Sequence, residues 1–300
     1  MTLSTRQTLV RHPQATLLRI ISALLIVFLT GCSTIKLGYN NGSSLVYWWL
    51  DGYLDLNEAQ STPVRDGLTT LHNWHRSQAL PAYATTLQKI QRLVPGKVSP
   101  EQMCSLGDEV RGYMAQIGER AIDALITLPP TVRPEQLKHL AQQYDKRNKK
   151  WREEWLDVTP EELRERRLKL AVDRAQNLYG RLEAPQRAVL RDSIANSSYD
   201  PALSYRETQR RQQDILRTLK EHSNGAARST QVKAEALALL ERSLNSPDLS
   251  YRAQQEKLIK EGCATLAALH NSTNTAQRLK AVETLKDYEA DARILASEKL

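Results

Sequence analysis

Apolar side chains recur every three or four residues through most of the chain, which places them on one face of an α-helix. No segment shows the period-two alternation, with β-branched enrichment, that predicts a half-buried strand. The sequence therefore predicts an all-α fold, a multi-helix bundle. Two of the clearest stripes are Leu168, Ala171, Ala175, Leu178 and Leu182, and Val282, Leu285, Tyr288, Ala292 and Leu295.

Prolines and small polar residues predict where the helices begin and end. Residues 99–102 (SPEQ) and 159–162 (TPEE) each place a capping hydroxyl before a proline at the first helical position and an acid in the first turn. Residues 133–136 (RPEQ) form a weaker version without the cap. Breaks are expected at residues 94–96, 128–130, 196–198, 223–225 and 245–247. We expect about eight to eleven helices, and no fixed period indicates a solenoid.

The N-terminus predicts export and lipidation. Three arginines and no acid precede an apolar run, residues 20–29, which is too short to cross a bilayer of ~30 Å at ~1.5 Å per residue. This order is typical of a secretory signal peptide. Residues 29–32 (LTGC) resemble the lipobox of bacterial lipoproteins, in which the cysteine receives a diacylglyceryl group and the signal is cut before it. A plain secretory signal with an incidental cysteine, or an uncleaved anchor, is the alternative.

Lipidation of Cys32 would divide the chain into a removed signal peptide (residues 1–31), a short tether (residues 32–42) and a single α-helical domain (residues 43–300). Ser33 stands where an Asp would resemble an inner-membrane retention signal. The sequence therefore predicts a lipid anchor on the periplasmic face of the outer membrane. In that compartment the net charge of +8 does not indicate nucleic-acid binding. Anionic headgroups could attract it, and solvated helix faces are the simpler interpretation.

Cys104 and Cys263 are the remaining cysteines. The periplasm is oxidising, and two thiols allow only one intramolecular pairing, so we predict a disulfide between early and late helices. The alternative is two buried free thiols on separate helices.

An aromatic segment follows the tether, and its nearness to Cys32 keeps it close to any bilayer that holds the acyl chains. Trp and Tyr favour the headgroup interface. However, Asp51 and Asp55 are four residues apart, on one predicted helix face, and anionic headgroups would disfavour them. We therefore favour packing of the aromatic residues into the core over membrane contact. The candidate residues for an interaction or membrane-proximal surface are Tyr39, Asn40, Asn41, Trp48, Trp49, Asp51, Tyr53 and Asp55.

No motif predicts catalysis, a cofactor or a metal site. The G-x-S-x-G, H-E-x-x-H, P-loop and Rossmann patterns are missing from the sequence. His72 and His75 lie three residues apart on a predicted helix and could supply two metal ligands. A site needs three or four, and no others are signalled nearby. We interpret both as core or surface histidines.

Two segments resemble the ends of an uncharacterised family of Gram-negative helical lipoproteins, a domain of unknown function. The first is residues 35–56 (IKLGYNN leading into WWLDGYLDL), where Gly52 replaces an expected Asp; the second is residues 266–291 (LAALHNST leading into AQR and LKDYEAD). The resemblance implies an envelope lipoprotein with no known activity and no catalytic residues. We interpret the second segment as a helix–turn–helix corner rather than a binding site. Its motif residues are His270, Asn271, Gln277, Arg278 and Tyr288.

These predictions describe a lipid-anchored, non-enzymatic envelope protein that binds another protein or acts as a chaperone-like module, with a partner that the sequence does not identify. The alternative is a lipid- or lipopolysaccharide-handling protein, and an envelope hydrolase is the least favoured. An exposed apolar patch would support the first function. A continuous apolar cavity on the order of several hundred Å³ would support the second, and a cleft with shifted titratable groups the third.

Overall fold

The computed structural model describes residues 31–223 and 229–298. The predicted signal segment before Gly31, and residues 224–225 of one predicted break, lie outside the described residues, and of Cys32 only the backbone is described. The described ranges form eleven helices and no strand, which confirms the predicted fold class. The helices are α1 Gly31–Asn40, α2 Gly42–Leu54, α3 Glu58–Trp74 continued by a π-helical turn His75–Ala79 into Leu80–Leu93, α4 Pro100–Leu125, α5 Pro134–Trp155, α6 Pro160–Tyr179, α7 Ala184–Ala195, α8 Pro201–His222, α9 Ser229–Leu244, α10 Leu249–Asn271 and α11 Thr275–Ser297.

Contacts divide the chain into two units, residues 1–42 with α1 and residues 43–300 with the helices that follow. The predicted breaks at residues 94–96, 128–130, 196–198 and 245–247 all fall between helices. Ser99 and Thr159 cap α4 and α6 as predicted. In each case the N–H of the capping residue also donates to the side-chain oxygen of the third helical residue. Arg133 makes no such side-chain cap for α5, and there only the return bond to Gln136 is present.

Two buried glutamines form a corner that joins the starts of α3 and α5. The Nε2 of Gln60 donates to the Thr131 carbonyl at 2.8 Å, and the Nε2 of Gln136 donates to the Asp55 carbonyl at 3.0 Å. Each side-chain oxygen also accepts the backbone N–H three residues before it, so each glutamine caps its own helix. The corner therefore satisfies backbone groups at two helix ends that would otherwise be buried without partners.

A second corner repeats this arrangement at the starts of α7 and α11. Here Gln186 donates to the Ser272 carbonyl at 2.6 Å, and Gln277 donates to the Arg181 carbonyl at 2.9 Å. Both oxygens again accept the N–H three residues earlier. In all four bonds the carbonyl belongs to the residue five positions before the partner glutamine.

The two corners mark an internal repeat within the second unit. The helices α2, α3, α4 and α5 of the first copy correspond in order to α6, α7 with α8, α10 and α11 of the second. The second half of α3 packs on α11, and its counterpart α8 packs on α5. Gln186 follows Gln60 by 126 residues, whereas Gln277 follows Gln136 by 141. Because these spacings differ, the sequence has no fixed period that would reveal the repeat.

The hydrophobic core forms two clusters, one beneath each corner. Val64 and Leu140 belong to the first cluster, and Leu190 and Ala281 belong to the second. Each of the four stands four positions after its corner glutamine. One helical turn separates such positions, so the glutamine and the apolar residue face the interior together.

The tightest approach of two helices differs between the copies. In the first copy, Gly67 of α3 lies so close to α4 that an added methyl group would overlap the carbonyl oxygen of Ala124. The corresponding pair in the second copy is Ser193 and Thr265, whose hydroxyl oxygens are 2.5 Å apart.

A disulfide joins Cys104 of α4 to Cys263 of α10, across 159 residues of sequence and a Cα–Cα distance of 5.3 Å. These two helices also pack against each other. The bridge therefore ties the first copy of the repeat to the second.

Candidate functional site

An open groove of about 480 Å³ lies between α6, α7 and α10. The side chains of its floor come from the inward stripes of three helices, and those of its rim are polar. Leu266 on α10 remains 54 % exposed at this surface, beside the other apolar side chains that line the groove. We call this surface the α6–α7–α10 groove. Its apolar side chains include Ala171, Leu178, Leu190, Ile194, Leu258 and Leu266.

One wall of the groove carries an arginine that is held firmly in place. Arg167 lies over the Tyr199 ring at 4.7 Å and donates to Ser197 at 2.9 Å. Burial lowers the pKa of Arg167, while Tyr199 and Glu261 oppose that shift. Burial alone would raise the pKa of the Glu261 carboxyl, but hydrogen bonds from Ser198 and Ser197 outweigh it and lower the pKa. The Arg167 charge is therefore balanced inside the wall.

A second arginine at the groove is exposed. Within the part of the chain that the structure describes, Arg174 makes no ion pair with an acid. The rim thus carries a net positive charge above an apolar floor. Such a surface suits an apolar segment with an acidic group beside it.

The outward face of α2 is a second exposed apolar surface, formed by Leu45, Val46, Trp48 and Trp49; we call it the aromatic face. Trp48 and Trp49 are 64 % and 58 % exposed. The prediction that they pack into the core is wrong. Helical geometry explains the error, because Tyr47, a neighbour in sequence, points the opposite way and takes the buried position.

The two acids of this segment do not share a helix face, contrary to the prediction. α2 ends at Leu54, and Asp55 follows it with a left-handed backbone, φ 49°. Asp51 turns toward the loop and accepts the N–H of Leu56 at 2.9 Å. The four-residue spacing would place both acids on one face only if the helix continued past Leu54.

Tyr53 faces a further open groove, of about 490 Å³, between α2, α5 and α8. Its ring lies 5.0 Å from that of Trp49 and 6.1 Å from that of Tyr144. Arg147 donates to the Tyr53 hydroxyl at 3.0 Å. Burial raises the pKa of the Tyr144 hydroxyl to about 12.

The other candidates of this segment belong to the first unit. Tyr39 and Asn40 lie in the last turn of α1. Asn41 follows that helix and donates from Nδ2 to the Leu37 carbonyl at 2.8 Å.

The C-terminal motif holds the loop between α3 and α4. The ring nitrogens of His270 contact the Tyr179 hydroxyl and the Gly96 carbonyl, both at 2.9 Å. Asn271 bonds both the N–H and the carbonyl of Val98, at 3.0 and 2.8 Å. Arg278 donates to the Gly96 carbonyl at 3.1 Å. These side chains are engaged with the backbone of their own chain.

The last two motif residues lie apart from this loop. Gln277 belongs to the second corner, and Tyr288 is 42 % exposed on α11. Gln277 and Gln136 stand in motifs that the sequence singled out, whereas Gln60 and Gln186 do not. The available signal was a glutamine at the third helical position, but the exposed Gln102 of α4 shares it, so the pattern alone does not identify the corners.

His72 and His75 both lie on α3, and no set of three His, Cys, Asp or Glu side chains within residues 31–223 and 229–298 could hold a metal ion. Burial, and then the neighbouring His72, lowers the pKa of His75. Among the described helices, none combines the length and the hydropathy that crossing a membrane requires.

Within the described residues the protein is all-α with an internal repeat, and it exposes apolar side chains in the α6–α7–α10 groove and on the aromatic face. The chain belongs to a family of unknown function, DUF6279, whose model matches residues 52–252. This confirms the prediction of an uncharacterised family. The match leaves out the tryptophans of the aromatic face and the C-terminal motif. No curated protein and no solved structure matches the chain.

Proposed function

We propose that this protein is a non-enzymatic envelope lipoprotein, anchored through Cys32 to the periplasmic face of the outer membrane. In this proposal the α6–α7–α10 groove binds an apolar segment of another envelope protein. The observation that carries the binding role is the exposure of Leu266 in a groove of about 480 Å³ that apolar side chains of three helices line. Monomeric proteins leave such contiguous apolar surface in water mainly where something binds it.

The polar groups of the groove support binding rather than catalysis. Glu261 is occupied by hydrogen bonds from Ser197 and Ser198, and Ser193 is paired with Thr265. A general base or a nucleophile must instead be within reach of a substrate. The remaining polar feature, the exposed Arg174 charge, suits an acidic residue of the partner.

A lipid-handling role is the second candidate, and the same groove favours it. An apolar floor beside an arginine would also accept an acyl chain with a phosphate group. The groove is open rather than enclosed, so an acyl chain in it would remain partly in water. This openness makes a protein segment the better fit, because acyl-chain sites usually bury most of the ligand.

Site-specific crosslinking separates the two. We would place a photoreactive amino acid at Leu266 of the full chain in cells, with the same substitution at Leu249 as the control. Leu249 is 68 % exposed on the same helix and does not line the groove. Covalent capture of a protein from position 266 alone supports the proposal. Capture of a phospholipid or lipopolysaccharide from that position would replace it with the second candidate, and no specific product would overturn both.

The anchor has its own test. The basic stretch, the short apolar run and the LTGC box ahead of Ser33 support lipidation of Cys32. Mass spectrometry of the mature protein should find acyl groups on an N-terminal cysteine. Blocking the lipoprotein signal peptidase, or Cys32→Ala, should leave a larger form; a Cys32→Ala protein of unchanged mobility would contradict the anchor.

A further inference from the structure

Helix α2 is apolar on two opposite faces. Tyr47 and Leu54 point into the first core cluster, while the aromatic face points outward. Asp51 is the single charged residue of the helix, and its side chain accepts the Leu56 N–H at the helix end. A helix that is apolar all round is normally buried on all sides, so the outward face calls for an explanation.

The internal repeat shows that the fold does not require this apolar face. When α2 and its counterpart α6 are aligned on their last residues, the patterns of buried and exposed positions agree closely. At the positions of Trp48 and Trp49, α6 has Asp173 and Arg174, both exposed. The same architecture therefore tolerates charged residues there. The fold therefore does not require tryptophans at these positions, although the Trp49 ring does contact that of Tyr53.

An exposed arginine stands beside the aromatic face. Arg147 donates to the Tyr53 hydroxyl at 3.0 Å, and the Tyr53 ring lies 5.0 Å from that of Trp49. Arg147 adds positive charge next to an apolar helix face, the combination by which interfacial helices bind anionic membranes.

The position of α2 in the chain, shortly after Cys32, favours a membrane as the binding partner of the aromatic face. Leu45 follows Cys32 by thirteen residues, which span at most about 45 Å when fully extended. If acyl chains hold Cys32 in a leaflet, the aromatic face must stay within that distance of the membrane surface. Tryptophan is the side chain most characteristic of the headgroup region.

We propose that the aromatic face of α2 lies in the headgroup region of the bilayer that holds Cys32, with Arg147 on a lipid phosphate. Acyl chains and helix then form a two-part anchor that fixes the orientation of the domain, since one attachment point alone would let it rotate freely. This inference rests on the proposed function only for the acyl chains on Cys32. The helix itself should bind membranes without those acyl chains.

The test uses the unacylated mature chain, starting at residue 32 with Cys32→Ser. Vesicles of phosphatidylethanolamine and phosphatidylglycerol should bind it in sedimentation, and brominated acyl chains should quench its tryptophan fluorescence. Trp48→Asp with Trp49→Arg copies the residues of α6 and leaves the net charge unchanged. This double variant should partition at least about tenfold more weakly, equivalent to about 1.4 kcal/mol. Leu249→Gln, which alters an exposed leucine elsewhere, should bind as the parent does.

Several results would overturn the proposal. They are no vesicle binding by the parent, equal binding by the double variant, or capture of a protein instead of a phospholipid by a photoreactive residue at position 48 in cells. Circular dichroism of the double variant checks that it is folded. Because the parent chain here has no acyl groups, its result does not depend on whether Cys32 is lipidated in cells.

Discussion

Replacing Gln136 with methionine tests the glutamine corner directly. Methionine has a similar length and volume, so it fills the space of a side chain that is only 1 % exposed. It has no amide to replace the bonds of Gln136 to the Leu54 and Asp55 carbonyls, at 2.9 and 3.0 Å, and to Gln60, at 2.8 Å. The substitution thus removes polar contacts at nearly constant packing.

The magnitude follows from the groups that lose a partner. The Asp55 carbonyl loses a donor, the Arg133 N–H loses its acceptor, and the Gln60 amide loses both of its hydrogen bonds with Gln136. Each buried group left unpaired costs about 1–3 kcal/mol. Some relaxation and the gain from burying methionine offset part of this, so we expect the free energy of unfolding to fall by about 3–5 kcal/mol.

The chain offers a matched control at the start of α4. Gln102 occupies the same third helical position and caps Ser99 by the same return bond, at 2.8 Å, but it is exposed. Gln102→Met should cost no more than about 1 kcal/mol. Urea unfolding of the oxidised protein, followed by circular dichroism, measures both variants. Gln186→Met, in the second corner, should resemble Gln136→Met. Equal stabilities of the Gln136 and Gln102 variants would refute the reasoning.

Three further predictions concern stability. Gly67→Ala should lower the melting temperature in a thermal scan, by about 1–3 kcal/mol in stability, because α3 must move away from α4; Gly112→Ala, in open space on α4, should instead stabilise by about 0.5–1 kcal/mol. Burial lowers the pKa of His270, so the folded protein holds it neutral and unfolding becomes easier as the pH falls below about 6.5. Urea midpoints from pH 7 to 5 should drop less in His270→Gln. Reducing the Cys104–Cys263 bridge should cost at most about 5 kcal/mol, and the denatured oxidised protein should expose two fewer reactive thiols than the reduced one.

Local sequence signals predicted the helices well. The caps at Ser99 and Thr159 and the breaks around Pro95 and Pro247 lie where the pattern placed them. Such signals act within a few residues, through capping hydrogen bonds and the fixed backbone angle of proline. The residues next to a helix end are therefore sufficient to predict where that helix begins or stops.

The candidate surfaces were harder to predict. Periodicity marks which residues of a helix are apolar, but not whether a second helix covers them. Leu266 and Trp49 have the sequence signature of core residues, and both are exposed. Asp55 has the signature of a helix-face acid, and it lies beyond the helix end. In each case a distant packing partner, or its absence among the described residues, decided the outcome.

The sequence by itself determined the all-α class, the ends of most helices and the charge of the surface, because these depend on local backbone preferences and composition. Tertiary structure alone decided which helices meet. Four glutamines between residues 60 and 277 form two equivalent corners only because their helices pack in pairs, and the unequal spacing of the copies conceals this in the sequence. Long-range pairing depends on the joint burial of many side chains, which no short segment encodes.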